Sequence, residues 1–293
     1  MKAKFIMPEF LADNKLNMNL LDLMERRPEC VQNHSSIYGF YGNFPNCLWN
    51  GGRYITGQVY DQCKIREIFK IYNDYYKLPL RLTFTNPVIT DEKYCYDTYA
   101  NLIAECGHNG MNEILVASPV LEEYLRKNYP NYKYCKSIVS TENIPYDVEN
   151  YHISVLPRNW INDLQKLESI PLENRKKIEI ICNDACIDDC PRTYEHYKAI
   201  GEATLNYHMT PEAKCTMISC VDNDFPMRDL NKTKRYVDPW RITHSYLAKG
   251  YEYFKLCGRE NPAKRRLNWI KYIFKPEYQE DILTRMFIIG AGQ

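Results

Sequence analysis

The sequence predicts a (βα)8 barrel as the fold class, in a single α/β domain. Short apolar segments alternate with helical patterns along nearly all of the 293 residues. Roughly nine segments have a strand pattern, one more than a barrel needs, so one should be surplus or peripheral. Consecutive apolar residues such as Ile180, Ile181 and Cys182 are typical of a parallel sheet that is covered on both faces. An open doubly wound sheet is the alternative, but the glycine-rich G-x-G-x-x-G and P-loop motifs of its commonest ligands are absent.

The elements follow in chain order. The predicted strands are Lys4–Met7, Ile37–Tyr41, Leu80–Thr85, Glu113–Ser118, Lys136–Ser140, His152–Leu156, Lys177–Asn183, Cys215–Val221 and Tyr253–Cys257. The predicted helices are Leu16–Arg26, Gln62–Tyr76, Asp91–Cys106, Pro119–Asn128, Ile161–Leu167, Thr193–Glu202 and Asp238–Gly250. In the last of these, Pro239 suits a first helical position and Gly250 a helix stop. Because no linker interrupts this rhythm, one barrel domain is expected over residues 1–293, with an N-terminal strand and helix in 1–35 and a helical tail in 262–293.

Charge and composition exclude several classes of protein. Lys and Arg number 38 against 37 for Asp and Glu, so nucleic acid is not expected as a general partner. No apolar run of about 18 residues is present, so no membrane span is expected. The first residues lack the apolar length of a signal peptide, which predicts a cytoplasmic protein. In that compartment the twelve cysteines are expected to be reduced thiols or metal ligands rather than disulfides.

Polar residues follow most predicted strands, where a barrel would gather them at one rim. Arginine can bind a carboxylate or phosphate through its planar fork of donors. Turns also favour Asn and Gly for backbone reasons alone. The structural alternatives to anion binding are a surface turn at Arg53 and a salt bridge at Arg259. The residues predicted to bind an anionic substrate are Asn43, Arg53, Asn86, Asn183, Arg192 and Arg259.

A cysteine-rich turn follows the apolar strand that ends near Asn183. Cys186 and Cys190 are four residues apart, so two thiolates could reach one metal from the same face of a helical turn. Position 193 is Thr, so the C-x3-C-x2-C motif of radical S-adenosylmethionine enzymes is incomplete, and paired C-x2-C zinc knuckles are absent. An iron–sulfur cluster remains open, with Cys215 or the better placed Cys220 as a third ligand and Cys47 or Cys257 as a fourth. Buried or reactive thiols are the alternative.

Acid–base groups are also expected near the strand ends. Arg192 and His196 would lie one turn apart on a helix, where they could bind an anion or transfer a proton. Capping or packing roles would explain the same spacing. The predicted catalytic residues are Glu142, Asp184 and His196.

The C-terminal third resembles the collagenase-like peptidase superfamily. The resemblance rests on Cys186-x3-Cys190, a further Cys, and the segment from Gly250 to Arg259 with Lys255 and Gly258. It implies a (βα)8-like barrel and, in many relatives, a four-cysteine 4Fe-4S cluster. It also implies oxygen-independent hydroxylation in quinone synthesis, RNA base hydroxylation or peptidase activity. Carried over by position, Cys186, Cys190 and Cys220 match cluster cysteines. The fourth falls near Trp240, so Cys47 would have to replace it.

Three hypotheses follow. The first is an iron–sulfur barrel enzyme that hydroxylates or otherwise modifies a small anionic substrate. The second is a metal-free hydrolase of peptides or glycans on the same barrel. The third is a non-catalytic binding barrel whose tyrosine-rich rim holds a protein partner.

Overall fold

The computed structural model describes residues 1–12, 14–52, 57–139, 145–184, 190–207, 234–257 and 269–291. Within these residues eight strands form a closed barrel in chain order, and helices lie between them. Every strand pair whose register is defined is parallel. The predicted (βα)8-type fold class is therefore confirmed. Its organisation as a single domain stays a prediction.

The strands match eight of the predicted segments. The eight are β1 Ala3–Pro8, β2 Ser35–Gly42, β3 Leu80–Phe84, β4 Glu113–Val116, β5 Lys133–Lys136, β6 Ile153–Val155, β7 Ile178–Ile181 and β8 Tyr253–Lys255. Strand β5 begins at Lys133 rather than at Lys136, because its pairing with β4 sets Glu113 opposite Lys133. The ninth predicted strand, Cys215–Val221, lies outside the described residues.

The helices between the strands also follow the predicted order. The α-helices are α1 Asn14–Arg26, α2 Gln62–Lys70, α3 Thr98–Cys106, α4 Pro119–Asn128, α5 Leu164–Ser169, α6 Leu172–Arg175, α7 Thr193–Leu205, α8 Pro239–Arg241 and α9 Gln279–Ala291. The wider π-helical turns Ile71–Tyr75 and Ile242–Tyr246 continue α2 and α8. Short 3-10 turns span Pro28–Cys30, Glu92–Tyr96, Arg158–Trp160 and Pro276–Tyr278. Gly250, which follows the π-helical turn Ile242–Tyr246, has a φ of 91°, a conformation that glycine adopts without strain.

The chain divides into two compact units. The first unit comprises Met1–Phe40, Arg158–Asp188 and Asp224–Gln293, and the second comprises Tyr41–Pro157 and Asp189–Asn223. In the first unit, Phe5 packs against Phe254 and Tyr272, with ring centroids 6.0 and 5.8 Å apart. In the second, Trp49 packs edge-on against Phe84 at 5.1 Å. Each unit therefore has its own apolar core.

No helix among the described residues is long and apolar enough to cross a membrane.

Candidate functional site

In the first unit, an ion pair lies just beyond the carboxyl end of β7. Asp184 follows that strand by three residues, and Arg158 opens the 3-10 turn after β6. The Arg158 Nε donates a short hydrogen bond to the Asp184 Oδ2, and the two side chains are 16% and 12% exposed. The predicted catalytic residue Asp184 is therefore held by an arginine that was not among the predicted site residues.

A second arginine approaches the same carboxylate. The Arg235 Nη1 lies 3.8 Å from the Asp184 Oδ2, and its side chain is 7% exposed. The backbone that positions it is paired antiparallel to the end of β7, since Tyr236 bridges Asn183 and the Val237 N–H donates to the Cys182 carbonyl at 2.8 Å. We call these three side chains, Arg158, Asp184 and Arg235, the arginine–aspartate cluster.

The cluster contains two oriented cations, the guanidinium groups of Arg158 and Arg235. Two guanidinium groups beside a carboxylate favour its anionic form. Each guanidinium has five N–H donors in a planar fork that matches the oxygens of a carboxylate or phosphate. The limited exposure of all three side chains strengthens these electrostatic interactions relative to those in bulk water. The arrangement can therefore orient an anionic group at the strand ends.

Asn183, a predicted substrate-binding residue, ties β7 to β8. Its Oδ1 accepts a hydrogen bond from the Cys257 N–H at 2.7 Å, and its Nδ2 donates to the Cys257 carbonyl at 3.3 Å. The side chain thus extends the ladder between the two strands beyond their ends. This contact positions the backbone directly before Asp184, and a role in substrate binding stays a prediction.

In the second unit, Asn43 lies just beyond the carboxyl end of β2. Its Oδ1 accepts a hydrogen bond from the Thr83 N–H at 3.1 Å and a second, short one from the Thr83 hydroxyl. The residue is 2% exposed, and its Nδ2 has no hydrogen-bond partner. Of the predicted substrate-binding asparagines, this one therefore retains an unused donor.

Asn86, which follows β3, has an amide that is fully engaged within the chain. Its Nδ2 donates to the Leu48 and Gly201 carbonyls at 3.0 and 3.2 Å, and its Oδ1 accepts from the Val88 N–H at 3.2 Å. It thereby joins the loop after β2 to α7. Its predicted role in substrate binding is untested, and its observed contacts are structural.

The predicted residues at the start of α7 lie near the protein surface. Arg192 is exposed and its Nε donates to the Glu195 Oε2 at 3.0 Å. The His196 N–H donates to the Arg192 carbonyl at 3.0 Å, which confirms that the two residues are one helical turn apart. The His196 ring is half-buried and stacks on Tyr197. Nothing in this arrangement tests their predicted roles.

The predicted cluster cysteines are only partly described. Cys190 is half-buried and lies in the turn before α7. Cys47 is fully buried, and burial raises the pKa of its thiol far above the usual value, so the metal-free thiol is neutral. No group of three or more metal-ligating side chains occurs among the described residues. Cys186 and Cys220 lie outside them, as do Glu142, Arg53 and Arg259, so the 4Fe-4S cluster stays a prediction.

Comparison with known proteins identifies the fold. No protein-family model matches the sequence, and no curated protein matches it significantly. The solved structure of the U32 peptidase Mk0906 superposes with a TM-score of 0.50 and 11% sequence identity, covering 89% of this chain and 95% of that one. The chain has the fold of that peptidase. At this identity the likeness concerns the fold alone, and it agrees with the predicted resemblance to collagenase-like peptidases.

Proposed function

We propose that this protein is a barrel enzyme of the hydrolase type that acts on a peptide-like substrate with an anionic group. The arginine–aspartate cluster at the ends of β6 and β7 is the observation that favours this proposal. Enzymes with (βα)8 barrels build their sites at the carboxyl ends of the strands. The similarity to the fold of a peptidase supports a peptide-like substrate.

The three members of the cluster have different roles in this proposal. Arg158 and Arg235 bind the anionic group of the substrate, because a guanidinium fork fits a carboxylate. Asp184 holds Arg158 in place, because its Oδ2 accepts a hydrogen bond from the Arg158 Nε. Glu142 and His196 stay predictions as acid–base residues.

A peptide library with matched termini tests this function. The purified protein is incubated with peptides that have a free C-terminal carboxylate and with the same peptides amidated, and the products are identified by mass spectrometry. We expect cleavage of the free-acid peptides. The variants Arg158→Gln and Arg235→Gln should each lower kcat/KM by about 10- to 100-fold, the range for a lost hydrogen bond to a charged group.

Arg285→Gln is the matched control, because Arg285 is exposed and its Nε lies 3.0 Å from the Asp281 Oδ2 on the same helix. It should leave kcat/KM unchanged. Thermal melting of each variant separates a loss of binding from a loss of folding. Absence of any cleavage product, or equal rates for Arg158→Gln and Arg285→Gln, would contradict the proposal.

An iron–sulfur hydroxylase is the second candidate. It rests on the resemblance to the superfamily and on the half-buried position of Cys190. A cluster held by Cys190, Cys186, Cys220 and Cys47 would supply redox chemistry. Anaerobic purification followed by iron and sulfide analysis tests this candidate, with Cys190→Ser compared against the exposed control Cys63→Ser. Iron and sulfide that are lost only in Cys190→Ser would favour it over the hydrolase.

A further inference from the structure

In the first unit, the side chain of Asn162 joins the two segments that carry the arginines of the arginine–aspartate cluster. Its Nδ2 donates a hydrogen bond to the Tyr236 carbonyl at 3.1 Å and a second, short one to the Lys234 carbonyl. These carbonyls belong to the residues on either side of Arg235. Asn162 itself lies two residues beyond the 3-10 turn Arg158–Trp160. One amide therefore links the backbone beside Arg235 to the segment that opens with the other arginine.

The oxygen of the same amide is held from another direction. The Asn162 Oδ1 accepts a hydrogen bond from the Arg241 Nη1 at 2.7 Å. The hydroxyl of the buried Tyr246 lies 2.9 Å from this oxygen and 2.7 Å from the Ile161 carbonyl. A rotated amide would place its NH2 against a guanidinium and its oxygen against two carbonyls, so these contacts determine its orientation. Both ends of the Asn162 amide are thus engaged.

Arg235 needs such a support because its contact with Asp184 does not fix its position. The Arg235 Nη1 lies 3.8 Å from the Asp184 Oδ2, which is beyond hydrogen-bond distance. Arg158 donates to the same oxygen, so two cations approach one carboxylate and repel each other. The backbone must therefore hold them together. The pairing of residues 236 and 237 with the end of β7 provides one support, and the two carbonyls held by Asn162 provide another.

We propose that Asn162 is a positioning residue that sets Arg235 beside Arg158, so that the two guanidinium groups bind one anionic group together. Resting on the proposed function, this group is a carboxylate of the peptide-like substrate. Asparagine suits the role because its short side chain carries two N–H donors and an acceptor oxygen, whereas aspartate has no donor when ionised. A pair of cations that is already in place binds an anion more tightly than a pair that must first be brought together.

Calorimetric titration of the full-length protein tests this role without any cleavage step. The probes are 4-phenylbutyrate, which has a carboxylate and no peptide bond, and the matched amide 4-phenylbutanamide. The ratio of their dissociation constants is the free-acid preference. Asn162→Ala, which adds no charge, should lower this preference about 10-fold, the lower end of the range for a lost hydrogen bond to a charged group. In the Arg235→Gln background the same replacement should have no further effect, because the side chain that Asn162 positions is already removed.

Asn101→Ala in the second unit is the matched control, because Asn101 has the same pattern of contacts. Its Nδ2 donates to the Cys95 and Asp97 carbonyls at 2.8 Å each. Its Oδ1 accepts from the Tyr124 and Tyr129 hydroxyls at 2.8 and 2.7 Å. Asn101→Ala should therefore lose comparable hydrogen bonds and leave the free-acid preference unchanged.

Amide hydrogen exchange at Val237 measures the positioning in the absence of any ligand. The Val237 N–H donates to the Cys182 carbonyl at 2.8 Å, so its exchange rate reports how firmly the backbone beside Arg235 is held. We expect exchange about 10-fold faster in Asn162→Ala and an unchanged rate in Asn101→Ala. Asn162→Asp keeps an acceptor for Arg241 but loses both donors, and it should resemble Asn162→Ala.

Two results would overturn the positioning role. One is an unchanged free-acid preference in Asn162→Ala, since a merely structural residue would alter Val237 exchange but not the preference. The other is an equal loss of preference in the wild-type and Arg235→Gln backgrounds. If Asn162→Ala does not fold, Asn162→Asp decides by the same two measurements. Equal binding of both probes by the wild type would reject the anion site and this role together. A free-acid preference without peptide cleavage would retain the role of Asn162 and reject the hydrolase.

Discussion

Replacement of Gly201 by alanine should destabilise the protein, although alanine is the better helix former. Gly201 lies within α7, where Gly→Ala ordinarily stabilises by about 1 kcal/mol. Here an added Cβ would overlap the Asn86 Oδ1 and would lie 3.0 Å from the Val88 Cγ2. The Asn86 amide must therefore move, and with it the contacts that join α7 to the loop after β2.

The magnitude follows from the hydrogen bonds of that amide. Asn86 donates to the Leu48 and Gly201 carbonyls and accepts from the Val88 N–H. At about 1 kcal/mol each, their loss would cost roughly 3 kcal/mol. Subtracting the helix-propensity gain leaves a net destabilisation of about 2 kcal/mol. Urea unfolding measures this as a lower midpoint with an unchanged slope.

A double-mutant cycle with Asn86→Ala isolates the cause. Without the Asn86 amide, the added methyl group no longer overlaps it, and Gly201→Ala should become stabilising by about 1 kcal/mol. The sign of the effect should thus reverse, with a coupling energy of roughly 3 kcal/mol. If Gly201→Ala stabilises the wild type, or if its cost persists in the Asn86→Ala background, the close contact is not the determinant.

Three further outcomes can be checked. Burial raises the pKa of the Asp97 carboxyl group, so the folded state binds its proton more tightly than the unfolded state does, and stability falls as the pH rises above the unfolded pKa. The variant Asp97→Asn keeps a side-chain oxygen that can cap the Ala100 N–H. Urea unfolding of this variant at a series of pH values should show a smaller loss of stability than the wild type shows. Burial and the nearby His244 lower the pKa of His34. The contribution of His34 to stability is therefore complete above its unfolded pKa of about 6.5 and is lost as the pH falls below that value. The variant His34→Gln should flatten this pH dependence of stability, and a pH profile identical to that of the wild type would contradict the assignment. Exposed Cys63 should react with iodoacetamide in the native protein while the buried Cys182 should not, and peptide mapping that finds equal labelling of both would refute this.

The sequence pattern predicted the strands well where burial on both faces left a local signature. The apolar residues Ile180 and Ile181 lie in β7 as expected, and residues 113–116 form β4. The prediction was least accurate at β5, where the predicted strand Lys136–Ser140 begins at the residue that ends the observed one. Pairing with β4 instead selects Lys133–Lys136, and such tertiary contacts leave no local pattern.

The candidate site was predicted only in part, for a comparable reason. Asp184 was identified because it directly follows an apolar strand. Arg235 was missed because it reaches Asp184 only through the antiparallel bridge between Asn183 and Tyr236. No rule of sequence spacing predicts a contact between residues as far apart in the chain as Asp184 and Arg235, so a single sequence could not reveal it.

Three asparagines at strand ends show why residue type alone does not define a binding site. Each was predicted to bind substrate because it follows a strand of the barrel. In Asn86 both ends of the amide are used by backbone groups, and in Asn183 both ends contact Cys257. Asn43 differs because the Thr83 backbone uses its oxygen alone and leaves the Nδ2 buried without a partner. The surrounding backbone groups therefore distinguish an asparagine with a structural role from an asparagine that is a candidate for binding substrate. Of the three predicted asparagines, Asn43 is the one whose replacement tests substrate binding most directly.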